Sequence, residues 1–365
     1  MKNVFGNNLT LTLFGESHGP AVGCVLDGLT PGIPVSEEEI VAALMRRRPA
    51  SLTDTARVEP DHFQILSGVF DGHTTGTPLA IVIPNENVRS SDYTYGPARP
   101  SHADYTGFLK YHGFEDYRGG GHFSGRVTAA LVAAGGILIP ALRALGISIG
   151  THILRCGEVS DRAFTGEEDA ALLEERNFPA LSEEAGRKME EEILRVKAEG
   201  DSVGGVTETV IFGLPGGLGE PAFDSVEGLL AHAAFSLGGV KGVSFGEGFG
   251  FAALRGSEAN DVFRIQDGKV RTTTNRNGGI NGGITNGMPV LMQCAVKPTP
   301  SIGKEQESVD FLKNEDVTLE VRGRHDPAIL RRICPVLSGV AALVTADLLI
   351  TRFGEDVLRT GWNTD

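Results

Sequence analysis

The sequence predicts an α+β fold that mixes antiparallel strands with long helices. Three observations carry this reading. Alternating apolar and polar residues flank a glycine-bounded turn near the N-terminus, the pattern of a hairpin. Several longer segments place apolar residues at helical spacing behind recognisable caps. A strand–turn–helix unit recurs in both halves of the chain, and no low-complexity linker separates the two occurrences.

The first element is "NLTLTLF", whose alternation marks a strand. It runs into Gly15-Glu16-Ser17-His18-Gly19, which fits the G-x-S-x-G pattern of a serine-hydrolase elbow. An elbow needs a helix straight after the serine. Here Pro20 and the apolar, β-branched "AVGCVLDGL" follow, which read as a second strand. The context of an elbow is therefore missing, and Glu-Ser-His forms the tip of a hairpin. "SEEEIVAALMRRRP" then reads as a helix, with Ser36 and Glu39 as a capping box and Pro49 as its stop. Its last turn carries Arg46, Arg47 and Arg48, which suits a helix C-terminus. Three consecutive arginines point in three directions, so at least one faces inward.

A second long helix begins at Ser124, a candidate N-cap, and runs through "GRVTAALVAAGGILIPALRALG". Residues 182–199 are densely charged and end at Gly200, as expected of a surface helix. "DSVEGLLAHAAFSLGG" gives another helix, and residues 327–352 the last. The apolar run within that last helix carries Asp347 and is short for a membrane span, so it reads as a buried helix. The recurring unit is "VLDGLTPGIP" (25–34) before the arginine-tipped helix and "VIFGLPGGLGEP" (210–221) before the helix at 224–237. It points to an internal pseudo-duplication within one domain.

The 365 residues, 41% hydrophobic, suffice for a large core. Glycine is abundant at 49 residues, with no collagen-like period, and gathers in runs where backbone turns sharply or approaches a ligand. A net charge of −14 argues against nucleic acid or an anionic membrane as a partner. Cys24, Cys156, Cys294 and Cys334 are scattered without metal spacing, which fits a reducing cytoplasm. The N-terminus "MKNVFGNN" does not have the pattern of a signal peptide.

The glycine-rich segments differ in how well they suit nucleotide binding. "GEGFGFAA" (246–253) contains G-x-G-x-x-A but lacks the following apolar helix, and no P-loop sequence occurs. "DYRGGGHFSGRVTAAL" (116–131) differs, because its glycine run opens into a helix and is flanked by Arg118, His122 and Arg126. Free N–H groups at a helix start beside cations make a phosphate site. Three of the nine histidines, His18, His102 and His325, sit in glycine- or proline-flanked loop tips, where function concentrates. "VKPTPSIG" (296–303) adds a lysine in a rigid turn with hydroxyl donors, suited to an anion.

"GESHGPAVGCVLDG", "RPSHADYTGFLKYHGFEDYRGGGHFSGR", "NGGINGGITNG", "KPTPSI" and "GRHDPAILRR" occur in this order, and together they resemble the chorismate synthase family from about residue 9 to 350. The resemblance implies one domain over 1–365, built as a β-α-β sandwich with helices between two four-stranded antiparallel sheets, and assembled as a homotetramer. It implies an anti-1,4-elimination of phosphate from 5-enolpyruvylshikimate 3-phosphate, giving chorismate, with reduced FMN and no net redox change. His102 would protonate or neutralise the departing phosphate, and His18 would protonate or stabilise the reduced flavin. Asp326 would keep the flavin N5 ready to accept the substrate proton. A histidine suits either acid role because it titrates near working pH. Arg48, Arg57, Arg126 and Arg324 would clamp the substrate's carboxylates and phosphate. His122, Phe123, Ser124, Gly238, Gly239, Gly282, the turn Lys297, Pro298, Thr299, Pro300 and Ser301, and Arg324 would contact the flavin.

The sequence departs from the family pattern at His122-Phe123, Gly238-Gly239, Asp54 and Ser338. An arginine is common in the family at position 54, and the aspartate there is expected to repel a dinucleotide phosphate. Reduced FMN is therefore expected from a separate flavin reductase. The rival readings are a flavin-dependent oxidoreductase on a phosphorylated anionic substrate and a non-catalytic phosphosugar-binding module. The first lacks a dinucleotide fingerprint, and the second has no use for paired histidines beside an aspartate.

Overall fold

The computed structural model describes residues 2–49, 51–54, 59–87, 93–321 and 326–362. The first part of the chain builds one antiparallel sheet. It contains β1 (Val4–Phe5), β2 (Thr10–Gly15), β3 (Ala21–Asp27), α1 (Glu37–Arg47), β4 (Gln64–Ser67), the small ribbon β5 (Val69–Phe70) and β6 (His73–Thr74), and β7 (Leu79–Pro84). The sheet order is β1-β2-β3-β7-β4. β2 and β3 pair from Thr10↔Asp27 to Gly15↔Val22, which leaves residues 16–20 as the hairpin tip expected from the sequence. Next come α2 (Asp104–Tyr111), a 3₁₀ segment over Arg118–Phe123, and α3 (Thr128–Ala144).

A second antiparallel sheet follows. Its region holds β8 (Ser148–Cys156), β9 (Val159–Ser160), α4 (Glu167–Glu175), α5 (Glu183–Ala198), β10 (Gly205–Phe212), α6 (Val226–Phe235) and β11 (Val240–Phe245). A 3₁₀ segment over Gly248–Ala253, α7 (Gly256–Ala259), and the ribbons β12 (Phe263–Gln266) with β13 (Lys269–Thr272) and β14 (Ile280–Asn281) with β15 (Ile284–Thr285) lead to β16 (Val290–Val296). The ribbon β17 (Gln306–Asp310) with β18 (Glu315–Leu319), then α8 (Leu330–Phe353) and α9 (Val357–Thr360), complete the chain. The second sheet has the order β11-β16-β10-β8-β9.

Among the described residues, each of the two large sheets has five strands rather than four. The extra members are two-residue edge strands, β1 and β9, too short to leave a periodic signal. α3 packs on β3 and β7 of the first sheet, α8 packs on β8 and β10 of the second, and the two helices pack on each other. Small residues allow this close approach: a Cβ on Gly135 would sit 2.9 Å from the Cα of Gly339. α3 also lies against α1, where a Cβ on Gly136 would meet Ile40 Cα at 2.7 Å. The apolar residues of these helices form one continuous buried cluster with the inner faces of both sheets.

The apolar α8 belongs to that core, and its acidic residue has a structural role. Asp347 accepts backbone N–H groups from Asn7, Asn8 and Leu9 at 2.8, 2.8 and 2.9 Å, fastening the turn before β2 to the helix. The expected caps are largely present. Ser36 accepts from the Glu39 N–H at 3.2 Å, but the reciprocal half of the capping box is replaced by an ion pair of Glu39 with Arg143. Ser124 caps a short 3₁₀ turn over Gly125–Val127, and the α-helix proper starts at Thr128. All four cysteines are free and buried, and burial pushes the thiols of Cys24, Cys156 and Cys294 up to about 12.

Candidate active site

The glycine run at 119–121 packs against two histidines. Gly119, Gly120 and Gly121 all have positive φ, at 60°, 80° and 52°, which only glycine adopts freely. The backbone path presses this loop onto two imidazoles. A Cβ on Gly119 would collide with His18 Cε1 and Nδ1, and one on Gly120 would stand 3.2 Å from His102 Cε1 and 3.5 Å from Nε2. The Ser17 N–H donates to Gly121 O at 3.0 Å, tying the hairpin tip to the run. Tyr93 lies against His18 and Arg99. Its ring meets His18 edge-on at 5.2 Å between centroids, and Arg99 lies over it at 5.9 Å.

His102 lies beside α2, an element with no clear sequence signal. Its Nδ1 is 2.7 Å from Asp104 Oδ1, and Asp104 is paired with Arg99. Lys297 Nζ donates to Ser101 O at 2.6 Å, and Arg99 Nη1 to Ser301 Oγ at 3.4 Å. The histidine loop is thereby laced to the 297–301 turn. Burial, with Lys241 nearby, pulls the Lys297 ammonium below its usual range.

A cavity of about 880 Å³ opens between these segments. That size falls in the ~300–1,000 Å³ range of small-molecule and cofactor sites. Its wall takes His122, Phe123 and Ser124 from the approach to α3, Gly238 and Gly239 from the α6–β11 turn, and the whole turn Lys297 to Ser301. His102 and Asp326 line it as well. Five segments far apart in sequence thus meet at one space. His122 Nδ1 lies 2.8 Å from Gly15 O, so the ring is fixed to the end of β2. Gly239, with φ 100°, turns the chain where a Cβ would strike Ile329 Cδ1 at 2.8 Å.

The arginines depart from expectation. Arg126 is buried and directs its guanidinium away from the cavity, to Asn85 Oδ1 at 2.8 Å, Pro84 O at 2.9 Å and Asp61. Arg48 caps the end of α1 with its Nε 3.5 Å from Asp61 Oδ2, and Arg47, not Arg48, lines the cavity. Arg47 holds Thr128 Oγ1 at 3.0 Å and Gly125 O at 2.7 Å. Burial and then the neighbouring Arg332 lower its pKa to about 9, against the opposing pull of Asp61. The signal for Arg47 was available, since Ile40, Leu44 and Arg47 recur at helical spacing on the buried face of α1. Arg332, which pairs with Asp326 and donates to Arg47 O at 3.2 Å, also lines the cavity and was not anticipated. Gly282 is not brought to this space by its own chain; it is exposed at the β14–β15 turn. Arg57, Arg324 and His325 lie outside the described residues.

Asp54 is the clearest correction. It is buried, and Arg331 Nη1 donates to its Oδ2 at 3.0 Å, so its charge is neutralised inside the protein rather than turned toward a ligand. Ser338 Oγ lies 2.8 Å from Thr151 Oγ1 in a hydroxyl chain continuing to Thr209, which makes it a packing residue between α8 and the second sheet.

Residues 9–350 match the family described as chorismate synthase. The chain belongs to the chorismate synthase family. It is 49% identical to a chorismate synthase of Pyrococcus abyssi over 349 residues, 95% of this chain and 97% of that one. A chorismate synthase of Dehalococcoides mccartyi is 43% identical over 353 residues, with 96% and 97% covered. The fold is similar to a crystal structure of chorismate synthase, with TM-score 0.75, 29% identity and coverage of 96% of this chain and 94% of that chain. Chorismate synthases are carbon–oxygen lyases of the shikimate pathway. In this chain the described cavity is lined by Arg47, Lys297 and Arg332 together with the loop-borne His102.

Proposed function

We propose that the cavity is where this chain carries out the anti-1,4-elimination of phosphate from 5-enolpyruvylshikimate 3-phosphate to chorismate, using reduced FMN without net redox change. The observation that carries this reading is the convergence of His102, Asp326, the Lys297–Ser301 turn, the His122–Ser124 turn and Gly238-Gly239 on one 880 Å³ space. A flavin fits this lining: the paired glycines give a wall without side chains, and Lys297 offers a partly desolvated cation for a terminal phosphate. Bound there, reduced FMN would supply an electron-rich ring with a basic N5. His102 would hold a proton for the departing phosphate, and Arg47, Arg332 and Lys297 would balance the anionic charge that collects on it. Asp326, fixed by Arg332, would stand at the opposite task of keeping the proton acceptor ready. His18, against the glycine run, would serve the flavin side. Arg48, Arg57 and Arg324 would clamp carboxylates and phosphate, while Arg126 would support the site through Asp61.

The assembly we propose is a homotetramer. Phe249, Phe263, Ile265 and Val270 lie exposed on neighbouring segments around the β12–β13 ribbon, which supports a subunit contact. We read the chain as a single β-α-β sandwich domain with an internal pseudo-duplication; β3 before α1 and β10 before α6, each the central strand of its sheet, support that reading. A cytoplasmic location and a separate flavin reductase complete it; both apolar helices long enough to span a membrane are mostly buried within the fold. The deciding experiment supplies the purified chain with reduced FMN under anaerobic conditions and follows phosphate release and chorismate absorbance. Flavin oxidation stoichiometric with product would point instead to an oxidoreductase and overturn the proposal.

A further inference from the structure

Asp104, the first residue of α2, is saturated with donors. Its Oδ2 accepts the backbone N–H and the Nε–H of Arg99 at 2.9 and 2.8 Å, and its Oδ1 takes Arg99 Nη2 at 2.7 Å. The same Oδ1 lies 2.7 Å from His102 Nδ1. Burial alone would raise this carboxyl, but the hydrogen bonds from Arg99 and His102 prevail and hold it well below the usual carboxylate range. An ionised carboxylate has no proton to give, and a guanidinium accepts none. The proton in the 2.7 Å contact therefore belongs to His102 Nδ1, and Arg99 Nη2, 3.0 Å from Nδ1, is a second donor to the shared oxygen. That assignment leaves Nε2, the nitrogen nearer Gly120, as the one that exchanges protons in the cavity.

We infer that Asp104, held by Arg99, is a positioning residue that fixes the tautomer and the ring orientation of His102, and that Arg99 couples this orientation to the cofactor-facing turn through Ser301. This rests on the proposed role of His102. In the elimination it serves, the substrate C–O bond breaks and its electron pair leaves with the phosphate, which takes the proton from Nε2, while the ring C–H bond gives up its proton to the acceptor on the Asp326 side and its electrons complete the new double bond. Asp104 keeps its charge throughout and receives no proton; its part is to hold the Nδ1–H side of the ring so that Nε2 faces the departing phosphate.

The test uses the full chain labelled with ¹⁵N-histidine, with the His102 resonances assigned by comparison with H102A. Neutral His102 should carry its proton on Nδ1 in the wild type, and D104A should shift it toward Nε2. Turnover with supplied reduced FMN should fall about 10²–10³-fold in D104A, on the scale of a lost base-orienting carboxylate. In an H102A background the same change should add less than about threefold, because the two residues act as a unit. A wild-type ring protonated on Nε2 overturns the inference even if D104A does not fold. A full, multiplicative loss in the double variant also overturns it and makes Asp104 merely structural. Near-full turnover of H102A would instead sink the role proposed for His102, a result distinct from either of these.

Discussion

Gly119 and His18 compete for one volume: a Cβ at position 119 would overlap the imidazole ring of residue 18. The glycine is thus required by the histidine's position as much as by its own φ of 60°. Gly119→Ala should leave the core intact, since the loop lies outside the main buried cluster. It should displace the ring and lower turnover with supplied reduced FMN by at least about tenfold, while His18→Ala should cost roughly 10²–10⁴. Steady-state rates paired with thermal unfolding check this. Wild-type turnover in G119A would show that the ring's placement does not matter.

Asp61 gathers three arginines. Its carboxylate is buried, with Arg126 paired to one oxygen and Arg47 and Arg48 at 3.6 and 3.5 Å from the other. Removing the charge leaves buried guanidinium groups uncompensated, which typically costs about 3–5 kcal/mol. Asp61→Asn should therefore lower stability by that order in denaturant unfolding and release the end of α1 and the start of α3 together. A cost below about 1 kcal/mol would mean that solvent already screens the cluster.

Much of this was legible in the sequence, and the failures have physical causes. The hairpin at 10–27, α1, α5 and α6 follow from periodicity and caps, because each buries one face, whereas α8 follows from a long apolar run that is buried on all sides over 339–350. The edge strands β1 and β9 and the helices α2 and α4 are short, and tertiary packing rather than local pattern holds them. At the site, the family resemblance named His102, Asp326 and the turns at 122–124, 238–239 and 297–301, and these line one cavity. Side-chain direction was not legible. The sequence marks Arg126 and Asp54 as charges near the ligand, yet each is spent on a partner distant in the chain, Asp61 and Arg331.

With Asp54 buried against Arg331, the source of electrons turns on whether the chain can cradle a dinucleotide. The G-x-G-x-x-A segment at 246–253 forms a 3₁₀ turn followed by the four-residue α7, not the long helix whose N-terminus cradles a pyrophosphate. The chain should therefore give no product in air with FMN and NADPH alone, and should become active once a separate reductase or dithionite supplies reduced FMN. Sustained chorismate formation driven by NADPH with the pure protein would refute this.

Away from the cavity, His152 offers a test of pH-linked stability. It is fully buried on β8, with Nδ1 3.3 Å from Asp161 Oδ2 and Nε2 3.2 Å from Glu208 Oε2, and Phe164 packs edge-on at 4.8 Å. Burial by itself would lower its pKa, yet the two carboxylates prevail and raise it above the ordinary value. A group whose folded pKa is raised stabilises the fold fully below its unfolded value, near 6.5, and loses that contribution as pH climbs through the folded value. Asp161 and Glu208 are shifted down, although burial opposes it, so their share is present above the ordinary carboxylate range and lost in acid. Wild-type stability should accordingly decline from pH 6.5 into the alkaline range. His152→Gln should be less stable at pH 6 and show a flatter alkaline limb, because nothing remains there to deprotonate. Melting curves of both proteins from pH 5 to 9 decide it, and parallel limbs above neutrality would place the charge of His152 outside the folding equilibrium.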